Sequence, residues 1–310
     1  MANYYKSSLL FLFIIADSIS YCQPSFKIPP KTKKILFLGN SITYSGLYVA
    51  QMEAYLRLKY PKNKYVFLNL GLPSETVSQL SEENHADGRF PRPALQERLA
   101  RVLVQTKPDL VFASYGMNDG IYLPFDEGRF QKYIYGIEWL HVEIEKIGAK
   151  IVHLTPPIFD ERKGKEYAEV LDIYSDWLLS KIKSDGWQVA DIHFPMKQYL
   201  HNQRLTDSTF ALAQDGVHPG ETGHWLMAKQ LLLYLGENEI ANFDNANAAF
   251  ANFKNGQAIA ELIEEKLNIM KDAWLSSTGH KRPEMKTGLP MNTAKIQAKI
   301  IDKQLKYLLK

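Results

Sequence analysis

Five short apolar runs, at 35–38, 65–70, 110–114, 151–154 and 187–192, punctuate the first two-thirds of the chain. Most are near-continuous rather than alternating, the pattern of parallel strands covered on both faces. Between them, apolar residues recur at three- to five-residue steps and predict helices over 47–59, 94–105, 126–147, 166–183 and 221–235. In 126–147 the stripe reads Phe130, Ile134, Ile137, Val142, Ile144 and Ile147, with Gly148 as a C-terminal stop. Strands alternating with helices predict an α/β fold: a three-layer α/β/α arrangement around a doubly wound, parallel, five-stranded sheet. Ligands of such sheets sit beyond the carboxyl ends of the strands.

The last 60 or so residues change character. Two amphipathic helices are predicted at 256–275 and 292–309, with stripes of Ile259, Leu262, Ile263 and Leu267, then Ile296, Ile300 and Leu305. The connector between them, 279–290, carries His280, Lys281, Arg282 and Lys286 among Gly279, Pro283, Gly288 and Pro290, and is expected to form an ordered basic arm. The expected organisation is a main domain over 34–240 and a C-terminal helical extension, 241–310, packed on it. The proline-bearing segment 23–33 reads as an exposed linker.

The first 22 residues resemble a secretory signal peptide: Lys6, the apolar run Leu9 to Ile15, then small or polar residues to Cys22. That run is far short of the ~20 residues that span a bilayer. Cleavage is expected after Cys22, with lipidation of Cys22 the alternative. Cleavage removes the single cysteine, so neither a disulfide nor thiol chemistry is expected. The expected location is therefore secreted or periplasmic, with no membrane span. A composition of 45% hydrophobic and 23% charged residues is that of a globular chain. The formal charge of +3, from 37 basic and 34 acidic residues well mixed along the chain, argues against a nucleic-acid partner.

Four short segments carry chemistry, and all fall near predicted strand ends. In 35–43 a strand ends at Gly39 and Ser41 stands in the turn before a helix, where a hydroxyl is lifted clear of the sheet. The same pattern also suits a helix-capping serine. Asn69-Leu70-Gly71 follows the second strand, and its glycine permits close backbone approach. Gly116-Met117-Asn118-Asp119 follows the third; an Asn amide can donate to an oxyanion. Asp215-Gly216-Val217-His218 precedes the helix at 221–235. A serine hydroxyl needs a base to become a nucleophile, and histidine is suited to that work near neutral pH. A carboxylate on the other ring nitrogen fixes the tautomer.

These four segments, in this order, resemble the conserved blocks of the SGNH/GDSL hydrolases over roughly residues 34–235. The resemblance implies a flavodoxin-like fold and ester hydrolysis without a cofactor. It also implies Ser41 as nucleophile, Asp215 and His218 as the rest of a triad, and an oxyanion hole from the N–H groups of Ser41 and Gly71 and the Asn118 side chain. Two departures stand out: Asn40 replaces the usual Asp of the first block, and the second block continues Leu72-Pro73-Ser74 without a further glycine. Leu72 and Pro73 are expected to narrow the site.

Secreted members of this family often resemble carbohydrate O-acetyl esterases, so the expected substrate is a small-molecule or polysaccharide ester. A lipid esterase or lysophospholipase, and a catalytically silent glycan-binding module, are the alternatives. Arg89 and Arg92 are candidates for holding an acidic substrate, against a purely solvated role. Trp225 is a candidate for stacking on a sugar, against a place in the core. His153 and His193 read as satisfied core residues. The remaining histidines lack ligand spacing, so no metal is expected.

Overall fold

Strand β1 (Lys34–Gly39) is buried along nearly its whole length, as its uninterrupted apolar sequence requires. The computed structural model describes residues 25–310; the expected signal peptide and Cys22 lie outside the described residues. β2 (Val66–Asn69), β3 (Leu110–Ser114), β4 (Lys150–Leu154) and β5 (Gln188–Ala190) complete one sheet in the order β2-β1-β3-β4-β5. Every pairing is parallel, with Phe37 of β1 registered on Asn69 of β2 and Phe112 of β3. The rings of Phe67, Phe37 and Phe112 stack across these three strands, with centroids 5.7 and 5.1 Å apart.

Among the described residues, ten α-helices connect and flank the strands. The first seven are α1 (Ser41–Ser45), α2 (Leu47–Lys59), α3 (Leu99–Thr106), α4 (Glu127–Lys146), α5 (Lys165–Ser184), α6 (His193–Arg204) and α7 (Glu221–Tyr234). They are followed by α8 (Ala246–Ala251), α9 (Gly256–Thr278) and α10 (Met291–Leu308). α2 packs against both α7 and α9, whereas α4 and α5 pack on β4 and β5. The result is the three-layer α/β/α fold that the alternating pattern predicts. Among the described residues no helix is long and apolar enough to cross a membrane.

Some helices present a different face from the one the sequence suggests. In α4 the buried residues are Tyr133, Gly136, Ile137, Leu140, His141 and Ile144, while Val142 and Ile147 face solvent. The ring of Tyr133 stacks on Tyr174 of α5 at 4.3 Å, so aromatic packing sets the rotation of the helix. In α10 the buried stripe is Ala294, Ala298, Ile301 and Leu305, whereas Ile296 and Ile300 are 61% and 54% exposed. Small alanines allow α10 to lie close on α9. The α6 segment shows little apolar signal because only His193, Met196 and Leu200 turn inward.

The C-terminal helices share the core of the sheet. Ile259, Ile263 and Leu267 of α9 and Ile301 and Leu305 of α10 belong to one hydrophobic cluster with β1 and α2. Residues 25–33 carry no regular element, yet Phe26 donates its N–H to Tyr234 O at 2.7 Å and stacks on the Tyr234 ring. This end of the expected linker lies against α7.

Candidate active site

The site lies where β1, β2 and β3 end. The strand order reverses between β1 and its two neighbours, the point at which an open α/β sheet leaves a crevice. Asn40 is buried directly after β1, and its Oδ1 accepts the Ile42 N–H at 3.1 Å. An asparagine therefore supplies the capping oxygen that an aspartate would. Ser41 follows as the first residue of α1, with its side chain outside the core.

The loop before α7 brings the other two polar groups to that serine. Ser41 Oγ lies 2.7 Å from His218 Nε2, and His218 Nδ1 lies 2.6 Å from Asp215 Oδ2. Asp215 Oδ1 also accepts the N–H groups of Val217 and His218 at 2.9 and 2.8 Å. Burial raises the Asp215 pKa, but the His218 and backbone hydrogen bonds outweigh it and hold the carboxyl below its ordinary value. Asp215 thus stays ionised, and the proton between it and the ring resides on Nδ1. This leaves Nε2 free to accept the Ser41 hydroxyl proton. The His218 and Asp215 side chains are 52% and 54% exposed, so the centre opens directly to solvent.

Asn118 is fixed from both ends of its amide. Nδ2 donates to Glu75 O at 3.1 Å, and Oδ1 accepts the Tyr122 hydroxyl at 2.9 Å. One Nδ2 hydrogen remains for a ligand. Behind it, Asp119 accepts three backbone N–H groups, from Val77, Ser78 and Gly116, each at 2.8 Å. Those bonds tie the turn after β3 to the loop after β2.

The second backbone donor differs from expectation. The Gly71 N–H donates to Asn69 Oδ1 at 2.9 Å, and Asn69 Nδ2 donates to Thr43 O at 2.6 Å. Its amide is engaged inside the loop rather than presented to a ligand. The glycine is required there by space, because a Cβ would stand 2.3 Å from Tyr44 N. Leu72 is buried beside it, and its N–H is held by Gly39 O at 2.8 Å.

The family model for GDSL-like lipases and acylhydrolases matches residues 37–226, which span all four segments. The chain belongs to the GDSL-like lipase/acylhydrolase family. It is accordingly a carboxylic-ester hydrolase. An acetylxylan esterase of Geobacillus stearothermophilus is 24% identical over 228 residues, covering 66% of this chain and 94% of that protein. The solved structure of a catalytic mutant of the acetylxylan esterase Axe2 from the same organism shares the fold. It aligns with a TM-score of 0.54 at 23% identity, covering 68% of this chain and 97% of Axe2. A gut microbial diltiazem-metabolizing enzyme aligns with a TM-score of 0.56 at 21% identity, over 69% of this chain and 49% of that one.

The three expected substrate contacts fare differently from the four family segments. Trp225 is 1% exposed and lies in the hydrophobic core, so its ring cannot meet a sugar. Arg92 grips Glu82 through Nε and Nη2 at 2.6 and 2.7 Å and stacks over Tyr122. Its guanidinium clamps a loop rather than awaiting an acid. Arg89 is half-exposed and paired with Glu284 of the C-terminal arm.

Two buried networks near the site carry no short-range signature in the sequence. Arg98 donates to both Glu75 oxygens at 2.6 and 2.7 Å and to Leu70 O at 2.7 Å, and the Tyr115 hydroxyl also donates to Glu75 at 2.7 Å. This cluster fixes the residue whose carbonyl holds Asn118. On the other side, Asp160 donates its N–H to Gly216 O at 2.9 Å and is paired with Arg162 and Arg204 at 2.8 and 2.7 Å. Burial pushes the Asp160 pKa up, but those two guanidinium partners bring it down to about 2. Both arginines also donate to Phe210 O, so the group braces the loop that presents His218.

Proposed function

We propose that the chain is a secreted serine esterase that removes acetyl groups from carbohydrates. Ser41 acts as nucleophile, His218 as base, and Asp215 orients His218. The observation that carries this reading is the continuous hydrogen-bond path Ser41–His218–Asp215, at 2.7 and 2.6 Å. Ser41 Oγ attacks the ester carbonyl carbon while His218 Nε2 takes the hydroxyl proton. The carbonyl oxygen, now negative, is held by the Ser41 N–H and the free Nδ2 hydrogen of Asn118. Collapse expels the sugar hydroxyl, protonated by His218, and leaves acetyl on Ser41. Water, deprotonated by His218, then releases acetate.

A carbohydrate substrate is supported by the acetylxylan esterase relative and by the half-exposed triad, which a polymer chain can approach from solvent. Export is supported by the lysine-led apolar run before Cys22.

Acetate release from acetylated polysaccharides, beside p-nitrophenyl esters of rising chain length, tests the reading. Acetyl esters are expected to be cleaved faster than octanoyl esters, and a tenfold preference for octanoyl favours a lipid esterase. A fluorophosphonate probe is expected to label Ser41, and the Ser41→Ala protein to lose both labelling and turnover while keeping its melting temperature. Retained turnover removes Ser41 from the mechanism.

A further inference from the structure

The connector between α9 and α10 does not hang free. Arg101 of α3 donates through Nε to Thr278 O at 2.9 Å and through Nη2 to Gly279 O at 3.2 Å. At the other end Gly288 lies flat on the backbone of Asp272, where a Cβ would come within 2.1 Å, and its N–H donates to Ser276 Oγ at 2.8 Å. Asp272 in turn accepts the hydroxyl of Tyr44 at 2.8 Å, three residues beyond Ser41 on the same short helix. The arm is thereby fastened beside the catalytic serine. Its basic residues do not form one patch: Lys286 turns to Asp272, while Arg282 lies over the ring of Phe90 at 5.2 Å.

Arg282 is incompletely satisfied. The neighbouring cations have carboxylate partners, Arg89 with Glu284 and Arg92 with Glu82. Among the described residues Arg282 forms no salt bridge, though the Glu284 carboxylate attracts its charge, and its only side-chain hydrogen bond runs from Nη1 to Pro283 O at 2.9 Å. Its Nε is buried without an acceptor. Burial draws its pKa below the ordinary value, and its charge reaches Tyr44, whose pKa it opposes raising. A guanidinium stays charged under all ordinary conditions. Nη2 has no hydrogen-bond partner among the described residues and, unlike Nε, is not closed off from solvent, so the outer edge of the guanidinium is open to an arriving acceptor. The matching acceptor is a carboxylate, which takes two parallel N–H donors from the guanidinium fork.

We propose that Arg282, laid on Phe90 by the C-terminal arm, binds the carboxylate of a uronic acid unit and makes the enzyme selective for acidic acetylated glycans. This subsite rests on the carbohydrate reading of the catalytic centre. The arm is preorganised at both ends, so little ordering is needed when the acid docks.

Calorimetry on the full chain carrying Ser41→Ala measures binding without turnover. The probes are a neutral xylo-oligosaccharide and the same oligosaccharide bearing one glucuronic acid. The acidic probe is expected to bind about tenfold more tightly, and Arg282→Gln to bring that ratio to about one. Arg282→Lys keeps the charge but not the fork, and is expected to lose most of the ratio. It also serves as the test should the glutamine variant fail to fold. A preference that survives in Arg282→Gln, or no preference in the arginine protein while the neutral probe still binds, overturns the subsite alone. If neither probe binds any form, the carbohydrate reading falls and the subsite with it.

Discussion

Asn118, the proposed oxyanion donor, owes its orientation to neighbouring groups. Its amide is oriented by Glu75 O and the Tyr122 hydroxyl. Asn118→Ala is expected to lower kcat by ~100-fold with little change in KM, because an oxyanion donor acts mainly in the transition state. Steady-state kinetics on p-nitrophenyl acetate check this, and an effect confined to KM would reassign the residue to substrate contact. Arg98 lies deeper. Its side chain and that of Glu75 are fully buried and face each other. Arg98→Leu removes both guanidinium bonds to the buried Glu75 carboxyl and leaves it the Tyr115 hydroxyl alone, which is expected to destabilise the fold by about 3–5 kcal/mol in urea denaturation. Neither Glu75 nor Arg98 belongs to any motif; they lie 23 positions apart in sequence and meet because the segment between β2 and α3 doubles back on itself, with Leu95 donating its N–H to Thr76 O at 3.0 Å.

At the scale of elements, the spacing of apolar residues announces that a helix exists but does not always select its face. α10 is the clearest case, since Ile296 and Ile300 point to solvent while Ile301 is 4% exposed. Ile301→Ala is expected to cost about 2–4 kcal/mol, whereas Ile296→Ala should change stability by less than about 0.5 kcal/mol. Equal effects in chemical denaturation would place the helix the other way round. The physical reason lies in its neighbour. α9 is long and lies against α2 and β2, so α10 must seat small residues, Ala294 and Ala298, on that ridge. A stripe read by hydrophobicity alone ranks isoleucine above alanine and misses this.

The whole molecule carries a set of buried histidines whose titration couples the fold to pH. His224, behind the catalytic loop and stacked on Tyr48, is pulled down to about 4, first by burial and then by the charge of His218. Fully buried His153, in contact with His141 at 3.0 Å, is also held well below its ordinary value by burial. In the unfolded chain these rings protonate near pH 6.5. The folded state therefore binds fewer protons than the unfolded one between about 6.5 and 4, and stability is lost as pH falls through that window. Urea midpoints should decline over that range, and His224→Phe should flatten the decline. An unchanged slope in that variant would remove His224 from the account. Asp160 acts lower on the scale: its stabilising pairs with Arg162 and Arg204 persist until pH approaches about 2.

The sequence by itself determined the order of elements and marked the candidate reacting groups. Short continuous apolar runs between helical stretches mark strands covered on both faces, and Ser41, Asn118, Asp215 and His218 each sit at an element end or in a short turn whose chemistry is local. What distance along the chain cannot encode is which side chains remain free. Gly71 looks like an available amide until Asn69 is seen to occupy it at 2.9 Å. Arg92 looks like a receptor for acids until Glu82 closes on it, and Trp225 like a sugar platform until the core encloses it. The arm that lays Arg282 on Phe90 joins residues nearly two hundred positions apart. Hydrogen-bond donors and rings are finite, and only the tertiary structure decides which are already taken.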